Sequence, residues 1–340
     1  NEGFEFNDGV MISQTIPFPS IFKAKKNLVN EQVKGKEFEK LLSINQLKQQ
    51  VRYYFYQLEY LENNAKILSS LDSIYTDFTR VAKLRYKAGD TKRVDISTAQ
   101  TKQGEINLLS QQNKMYKVNA YRSLQTLLKS EKEFEIETSA EYQPLFITSM
   151  VDENFLDKHP AIQALYQEAK IIETSQKVEK ASGLPDFTFG YSNISLIGAH
   201  ERNGIERYYN RGQRFSYVDV GISIPLTFGA TKARIRSLDL SKQSFEAAAN
   251  WQKQQLQTQL QNTLQEYEQK LVQYNYLKEQ ALPNAKEIIN AAKLGYETGD
   301  ISNVEYLYSV QAATDIRLNY LKSIQDINNS VINIYSLINQ

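Results

Sequence analysis

Apolar residues recur along residues 47–82 at Leu47, Val51, Tyr54, Leu58, Leu61, Ala65, Leu68, Leu71, Tyr75, Phe78 and Ala82. The steps are threes and fours and average close to 3.5, the period of a coiled coil. Between Pro19 and Gly89 the only glycine is Gly35, and there is no proline. One helix is therefore predicted from about Ser20 to Lys87. At 1.5 Å per residue it spans about 100 Å, more than a globular domain can use. The chain turns through Tyr86-Lys87-Ala88-Gly89-Asp90-Thr91, and a second helix returns from about Val94 to Leu128, with Ala99, Ile106, Leu109, Tyr116, Ala120, Leu124 and Leu127 as its apolar positions. A mixed region follows, with a brief alternation at Phe134-Glu135-Ile136-Glu137. His159-Pro160 then opens a helix to about Ala181, since proline is tolerated in a first helical turn.

Beyond Gly183-Leu184-Pro185 the period changes. Asp186-Phe187-Thr188-Phe189-Gly190-Tyr191-Ser192 alternates with period two, the mark of a strand, and Ile194-Ser195-Leu196 continues in shifted phase, which predicts a bulge. Gly198 to Gln213 reads as a polar loop. A second strand carries Val218, Val220, Ile222, Ile224 and Leu226 on one face, with Asp219, Gly221 and Ser223 on the other. After Phe228-Gly229 a helix of about 60 residues is predicted to run to Leu294. A tip at Gly295 to Asp300 and a last helix from about Val304 to Ile338 complete the chain.

The two halves match. At an offset of 208, Val10, Ile12 and Ile16-Pro17-Phe18 fall on Val218, Val220 and Ile224-Pro225-Leu226. At an offset of 210, Tyr86, Gly89, Asp90, Val94 and Asp95 fall on Tyr296, Gly299, Asp300, Val304 and Glu305. Pro17 lies 72 residues before Gly89, and Pro225 lies 74 before Gly299. A strand, a proline, a very long helix, a Gly-Asp tip and a returning helix occur twice, and such internal repetition is the first thing to weigh in a fold assignment. Repeat one is residues 1–129, with a strand at about 9–18 and a helical hairpin at about 20–128. A connector spans 130–183. Repeat two is residues 184–340, with strands at about 186–197 and 215–227 and a hairpin at about 230–338. The fold class is mainly α with a small β part.

Composition narrows the function. Of 340 residues, 40 are basic and 39 acidic, so no basic footprint for nucleic acid is present. There is no cysteine, which removes disulfide and thiolate chemistry. No apolar run reaches 18 residues, so no transmembrane helix is predicted. Strands of about ten residues with one apolar face do suit a transmembrane barrel, whose lipid-facing residues alternate with lumen-facing ones. Pro17 and Pro225 stand where strand hands over to helix, because proline cannot donate to a continuing ladder. So few strands cannot close in one chain, so several chains must share the barrel under cyclic symmetry. The two histidines, His159 and His200, belong to no catalytic or metal-binding pattern. No enzyme, cofactor or metal site is read.

The Ile16-Pro17-Phe18-Pro19 segment, the Arg85-Tyr86-Lys87-Ala88-Gly89-Asp90 tip and the Gly295-Tyr296-Glu297-Thr298-Gly299-Asp300 tip resemble those of TolC-type outer-membrane efflux factors. His159-Pro160-Ala161-Ile162 is similar to that family's Asn-Pro helix start. The resemblance covers essentially the whole chain and looks closest to the branch of heavy-metal efflux pumps of the resistance-nodulation-division (RND) type. It implies a homotrimer in the outer membrane, with a twelve-stranded β-barrel and a long antiparallel α-helical barrel in the periplasm. It implies a periplasmic adaptor and an inner-membrane RND pump as partners, outer-membrane lipid as surroundings, and passive export of small toxic solutes, heavy-metal cations among them. Against the family pattern, the first long helix and first strand of repeat one are missing.

By the same resemblance, Tyr86, Gly89, Asp90, Tyr296, Gly299 and Asp300 are candidates for adaptor docking. Glu305 falls on the first position of a periplasmic gate and Tyr308 on the second, where an acid is expected, and Asp95 and Thr98 are the matching residues of the other half. Two readings fit the acids: a cation-attracting ring, or plain helix N-terminal residues favoured by the dipole. A soluble periplasmic coiled-coil scaffold explains the helices but not the strands, and an adaptor has one hairpin where this chain has two.

Overall fold

The computed structural model describes residues 7–136, 142–147, 153–226 and 228–339. The elements are β1 (Asn7–Ile16), α1 (Pro19–Ala88), α2 (Arg93–Leu128), a 3-10 turn (Glu153–Lys158), α3 (Pro160–Ala181), β2 (Asp186–Leu196), β3 (Gly198–Arg202), β4 (Ile205–Tyr209), β5 (Arg214–Ser223), α4 (Phe228–Tyr276), a π turn (Leu277–Ala281), α5 (Leu282–Thr298) and α6 (Asn303–Leu337). α1 runs unbroken for 70 residues. Of the alternating stretch at 134–137, Glu137 lies outside the described residues.

The chain forms two compact units, and neither is a sequential half. One unit takes Asn1–Lys40 and Pro160–Gln252; the other takes Leu41–His159 and Lys253–Gln340. In the first, β1, β2 and β5 form an antiparallel sheet in the order β1-β2-β5. The ladder pairs Ile16 with Phe187 and Phe187 with Ile222, and its register holds without a break from end to end. The bulge predicted at Ile194–Leu196 is therefore absent from this ladder. Polarity inverts there for another reason: the apolar row of Ile12, Tyr191 and Val218 gives way to a polar one in which the Ser195 hydroxyl donates to the Asp8 carbonyl at 2.8 Å. Ile194, on the other face, lies against Gly9, where a Cβ would come within 2.5 Å of Ile194 Cγ2.

Two further sequence expectations are corrected. The predicted polar loop at 198–213 contains a β-hairpin, β3–β4. Its turn residues Asn203 (φ 56°) and Gly204 (φ 76°) both take positive φ, as a two-residue hairpin turn requires. The strand expected to include Ile224 and Leu226 ends at Ser223, one residue before the Ile224-Pro225 junction. α3 is held beside the first turns of α1 and α4. Gln167 donates to the Glu31 backbone and carboxylate at 2.9 and 2.8 Å, and Arg234 pairs with Glu179 at 3.2 Å. The hydrogen bond from Gln167 and the neighbouring Lys34 hold the Glu31 carboxyl below the usual carboxylate range.

In the second unit, side-chain bonds run from α2 to α1 (Asn113 Nδ2 to the Leu61 carbonyl, 2.9 Å), from α6 to α1 (Gln325 Nε2 to Gln57 Oε1, 2.9 Å) and from α4 to α6 (Lys270 Nζ to Ser330 Oγ, 2.8 Å). Towards its C-terminus α6 is buried nearly all round, through Ile324, Ile327, Val331, Ile332 and Ile334. Such a helix sits inside a layer of neighbours. The connector docks on it by polar contacts: Tyr142 OH donates to Gln325 Oε1 at 2.7 Å, and the Leu145 N–H donates to Asn328 Oδ1 at 2.7 Å. Burial pushes the Tyr142 hydroxyl above the usual tyrosine range. The helix predicted to reach Leu294 is interrupted at Leu277–Ala281, where the Leu282 N–H bonds five residues back to the Leu277 carbonyl. Pro283 supplies the reason: it has no N–H for the regular ladder, and its ring crowds the preceding turn.

Candidate functional site

The two hairpin tips are the chemically distinctive part of the second unit. α1 ends at Gly89 (φ 82°) with the Asp90 N–H donating to the Arg85 carbonyl at 2.9 Å. α5 ends at Gly299 (φ 86°) with the Asp300 N–H donating to the Gly295 carbonyl at 2.8 Å. Both glycines take the left-handed conformation that closes a helix C-terminus, where a side chain would be strained.

The helices that leave the tips start alike. At α6, Ser302 Oγ accepts from the Glu305 N–H at 3.3 Å, and the Glu305 carboxylate accepts from the Ser302 N–H at 2.7 Å. This is a capping box. The backbone N–H and hydroxyl of Ser302 hold the Glu305 carboxyl below its usual range. At α2, Asp95 accepts from the Lys92 N–H at 3.2 Å and from the Thr91 hydroxyl. Partial burial pushes the Asp95 carboxyl up. The hydrogen bonds from Thr91, Lys92 and Asn303 outweigh that, and it lies below the usual range.

The tips also bond to each other. Asn303 Nδ2 at the start of α6 donates to Thr91 Oγ1 at 2.8 Å, and Thr91 in turn donates to Asp95. Below this polar link lies an aromatic cluster. Tyr296 stacks on Tyr306 with ring centroids 4.7 Å apart, and Phe78 meets both rings at 5.3 and 5.2 Å. The Arg85 guanidinium covers the Tyr296 ring at 4.9 Å, and a Cβ on Gly299 would come within 3.4 Å of that guanidinium. Burial pushes the Tyr306 hydroxyl up to about 12.

The paired positions are not used alike. Tyr86 is exposed, whereas Tyr296 is only 4% exposed and serves packing within the chain. The Asp90 N–H caps its turn, and the Asp300 carboxylate accepts from Thr298 Oγ1 at 2.6 Å. Thr98 and Tyr308 are brought together along an open groove of about 520 Å³ between α1, α2 and α6. Asp95 is drawn to the facing hairpin, while Glu305 stays at its own helix start. Pro17 and Pro225 lie just past the ends of β1 and β5, in the other unit. Among the described residues no group of three histidine, aspartate or glutamate side chains could hold a metal, and no helix is long and apolar enough to cross a membrane.

No protein-family model matches the sequence, and no curated protein matches it in sequence either. Solved structures do. CusC aligns over 98% of this chain and 83% of its own at TM-score 0.78 and 13% identity. The MtrE outer membrane channel of Neisseria gonorrhoeae aligns over 99% and 80% at TM-score 0.76 and 14% identity. The CmeC outer membrane channel of Campylobacter jejuni aligns over 99% and 78% at TM-score 0.74 and 13% identity. The chain has the TolC-type channel fold. At these identities the likeness is one of fold. Within this fold, Arg85, Phe78, Thr91, Asn303 and Tyr306 join the sequence-predicted tip positions as structural parts of the site. Phe78 was legible as a core position of the 3.5-residue pattern. The reach of Asn303 across to the other hairpin had no sequence signal.

Proposed function

We propose that this chain is one subunit of a passive outer-membrane export duct, a homotrimer that receives solute from an inner-membrane RND pump through a periplasmic adaptor. The observation that carries this reading is the outer face of the three-stranded sheet. Val10, Ile12, Phe189, Tyr191, Val218, Val220 and Ile222 share that face and are 46–73% exposed. So much bare apolar surface marks a face meant for lipid or a partner. It ends in a polar row, with Arg211 pairing with Asp8 at 2.6 Å, as a strand does on leaving a hydrocarbon layer. Among the described residues the outer edges of β1 and β5 have no strand partner, and they call for closure by further strands, because lipid leaves edge amides unsatisfied. A soluble scaffold gives no reason for that face.

In this reading residues 1–129 and 184–340 are two copies of one stave, joined by the 130–183 connector. Pro17 and Pro225 end the membrane strands, and the helices line a periplasmic tunnel. The exposed groups of the tips, Tyr86, Asp90 and Asp300, meet the adaptor, with Gly89 and Gly299 shaping the turns around Tyr296. Asp95, Thr98, Glu305 and Tyr308 form the gate region. The Asn303–Thr91–Asp95 link is a discrete contact that adaptor binding breaks on opening. The cargo is small toxic solutes, metal cations among them.

The absence of cysteine makes a single introduced one unique. Asp300→Cys, labelled with a thiol-reactive photocrosslinker, should on illumination crosslink to the periplasmic adaptor in cells that express the pump, while the protein fractionates with outer membranes. A protein found in the soluble fraction, or an Asp300→Cys chain that never captures the adaptor, contradicts the reading.

A further inference from the structure

The same register that bares an apolar face on one side of the sheet defines a second face of different chemistry. Phe215, Tyr217, Asp219, Gly221 and Ser223 of β5 alternate with the lipid-directed valines. Their partners on β2 are Ile194, Ser192, Gly190, Thr188 and Asp186, and those in turn face Gly9, Met11, Ser13 and Thr15 of β1. Small and hydroxyl side chains dominate the middle of this face, and no lysine or arginine stands on it among the described residues. Its two acids are Asp186, at the strand end beside Pro185, and Asp219, in the middle rows.

Asp219 has a prepared seat. Its cross-strand partner is Gly190, and a Cβ there would lie 2.3 Å from Asp219 Oδ1 and 2.4 Å from Oδ2. The carboxylate thus lies flat over the one position in the row without a side chain. Ser13 follows on β1. Asp219 itself is exposed, and among the described residues it makes no hydrogen bond or ion pair. Asp8, the acid on the opposite face, is neutralised by Arg211 at 2.6 Å. An unpaired carboxylate is costly against lipid and cheap against water. The lumen is the side on which it can stay charged.

We propose that Asp219 is the charge-selecting group of the membrane part of the duct, an inference that rests on the channel reading above. Cyclic symmetry repeats it at one height in every subunit. A ring of carboxylates in a narrow pore raises the local cation concentration and repels anions. Hydrated metal or organic cations are the solute class it favours. Gly190 acts as a positioning residue, since it leaves the room in which the carboxylate lies.

The test is the ratio of potassium to chloride permeability, taken from reversal potentials of the full chain reconstituted in planar bilayers under a KCl gradient. The wild-type channel should prefer potassium. Asp219→Asn should lower the ratio by about threefold or more, and Asp219→Lys should carry it towards chloride. Gly190→Ala should lower it in the same direction by displacing the carboxylate, with oligomer yield in detergent unchanged for all three. Equal ratios in wild type and Asp219→Asn overturn the inference and leave the channel reading standing. A wild-type chain that forms no conducting pore overturns both.

Discussion

At the scale of single residues the tips show how equal sequence positions acquire unequal work. Gly89 and Gly299 both cap a helix with positive φ, and both were legible because glycine followed by aspartate ends each long apolar pattern. Tyr86 and Tyr296 also correspond in sequence, yet one is exposed and the other is sealed under Arg85. Nothing in the local pattern separates them. The difference arises because Phe78 and Tyr306 close on Tyr296 from two other helices. Among the described residues nothing lies within 4 Å of a Cβ placed on Gly89, so Gly89→Ala isolates the backbone cost of its conformation. It should cost about 1 kcal/mol, read as a fall in the midpoint of chemical unfolding with unchanged slope. An unchanged midpoint would mean that Gly89 does not hold the left-handed turn.

At the scale of elements, long helices were legible because their 3.5-residue pattern persists for tens of residues without glycine or proline. What escaped was local chemistry inside a longer pattern. Pro283 sat in view, but the apolar spacing continued across it, and the π turn at Leu277–Ala281 marks where the ladder yields. Asn203-Gly204 is a hairpin signal within a stretch that composition alone made a loop. The acids at the starts of α2 and α6 each close their own first turn by a hydrogen bond that the sequence reading did not foresee.

Asp95 does more, because Asn303 of the facing hairpin binds it and Thr91 together. A carboxyl held below its usual range adds stability that is present above about pH 4 and is lost as pH falls through the lowered folded value. Asp95→Asn keeps an acceptor and removes the charge. The variant should therefore be less stable than wild type near neutrality, with the difference shrinking as the pH is lowered below about 4. Thermal unfolding across that range reads the effect. A constant gap at all pH values would show that the charge has no part in the tip contact.

Over the whole molecule, large apolar side chains stand exposed on the helices as well as on the sheet. α2 exposes Met115 and Tyr116 at 66% and 60%, and α4 exposes Val272 and Tyr276 at 71% and 57%. The internal bonds run α2 to α1 to α6 to α4, so in that unit these are the two outer helices of one set. Each is free to meet another copy of the chain. Together with the apolar face of the sheet, they are the surfaces that the proposed assembly of copies would cover.

The full-length protein, extracted from outer membranes in detergent and viewed end-on by electron microscopy, addresses that claim directly. Three subunits around a central opening are expected. A particle of one or two chains, or a protein that stays dispersed without detergent, would contradict it.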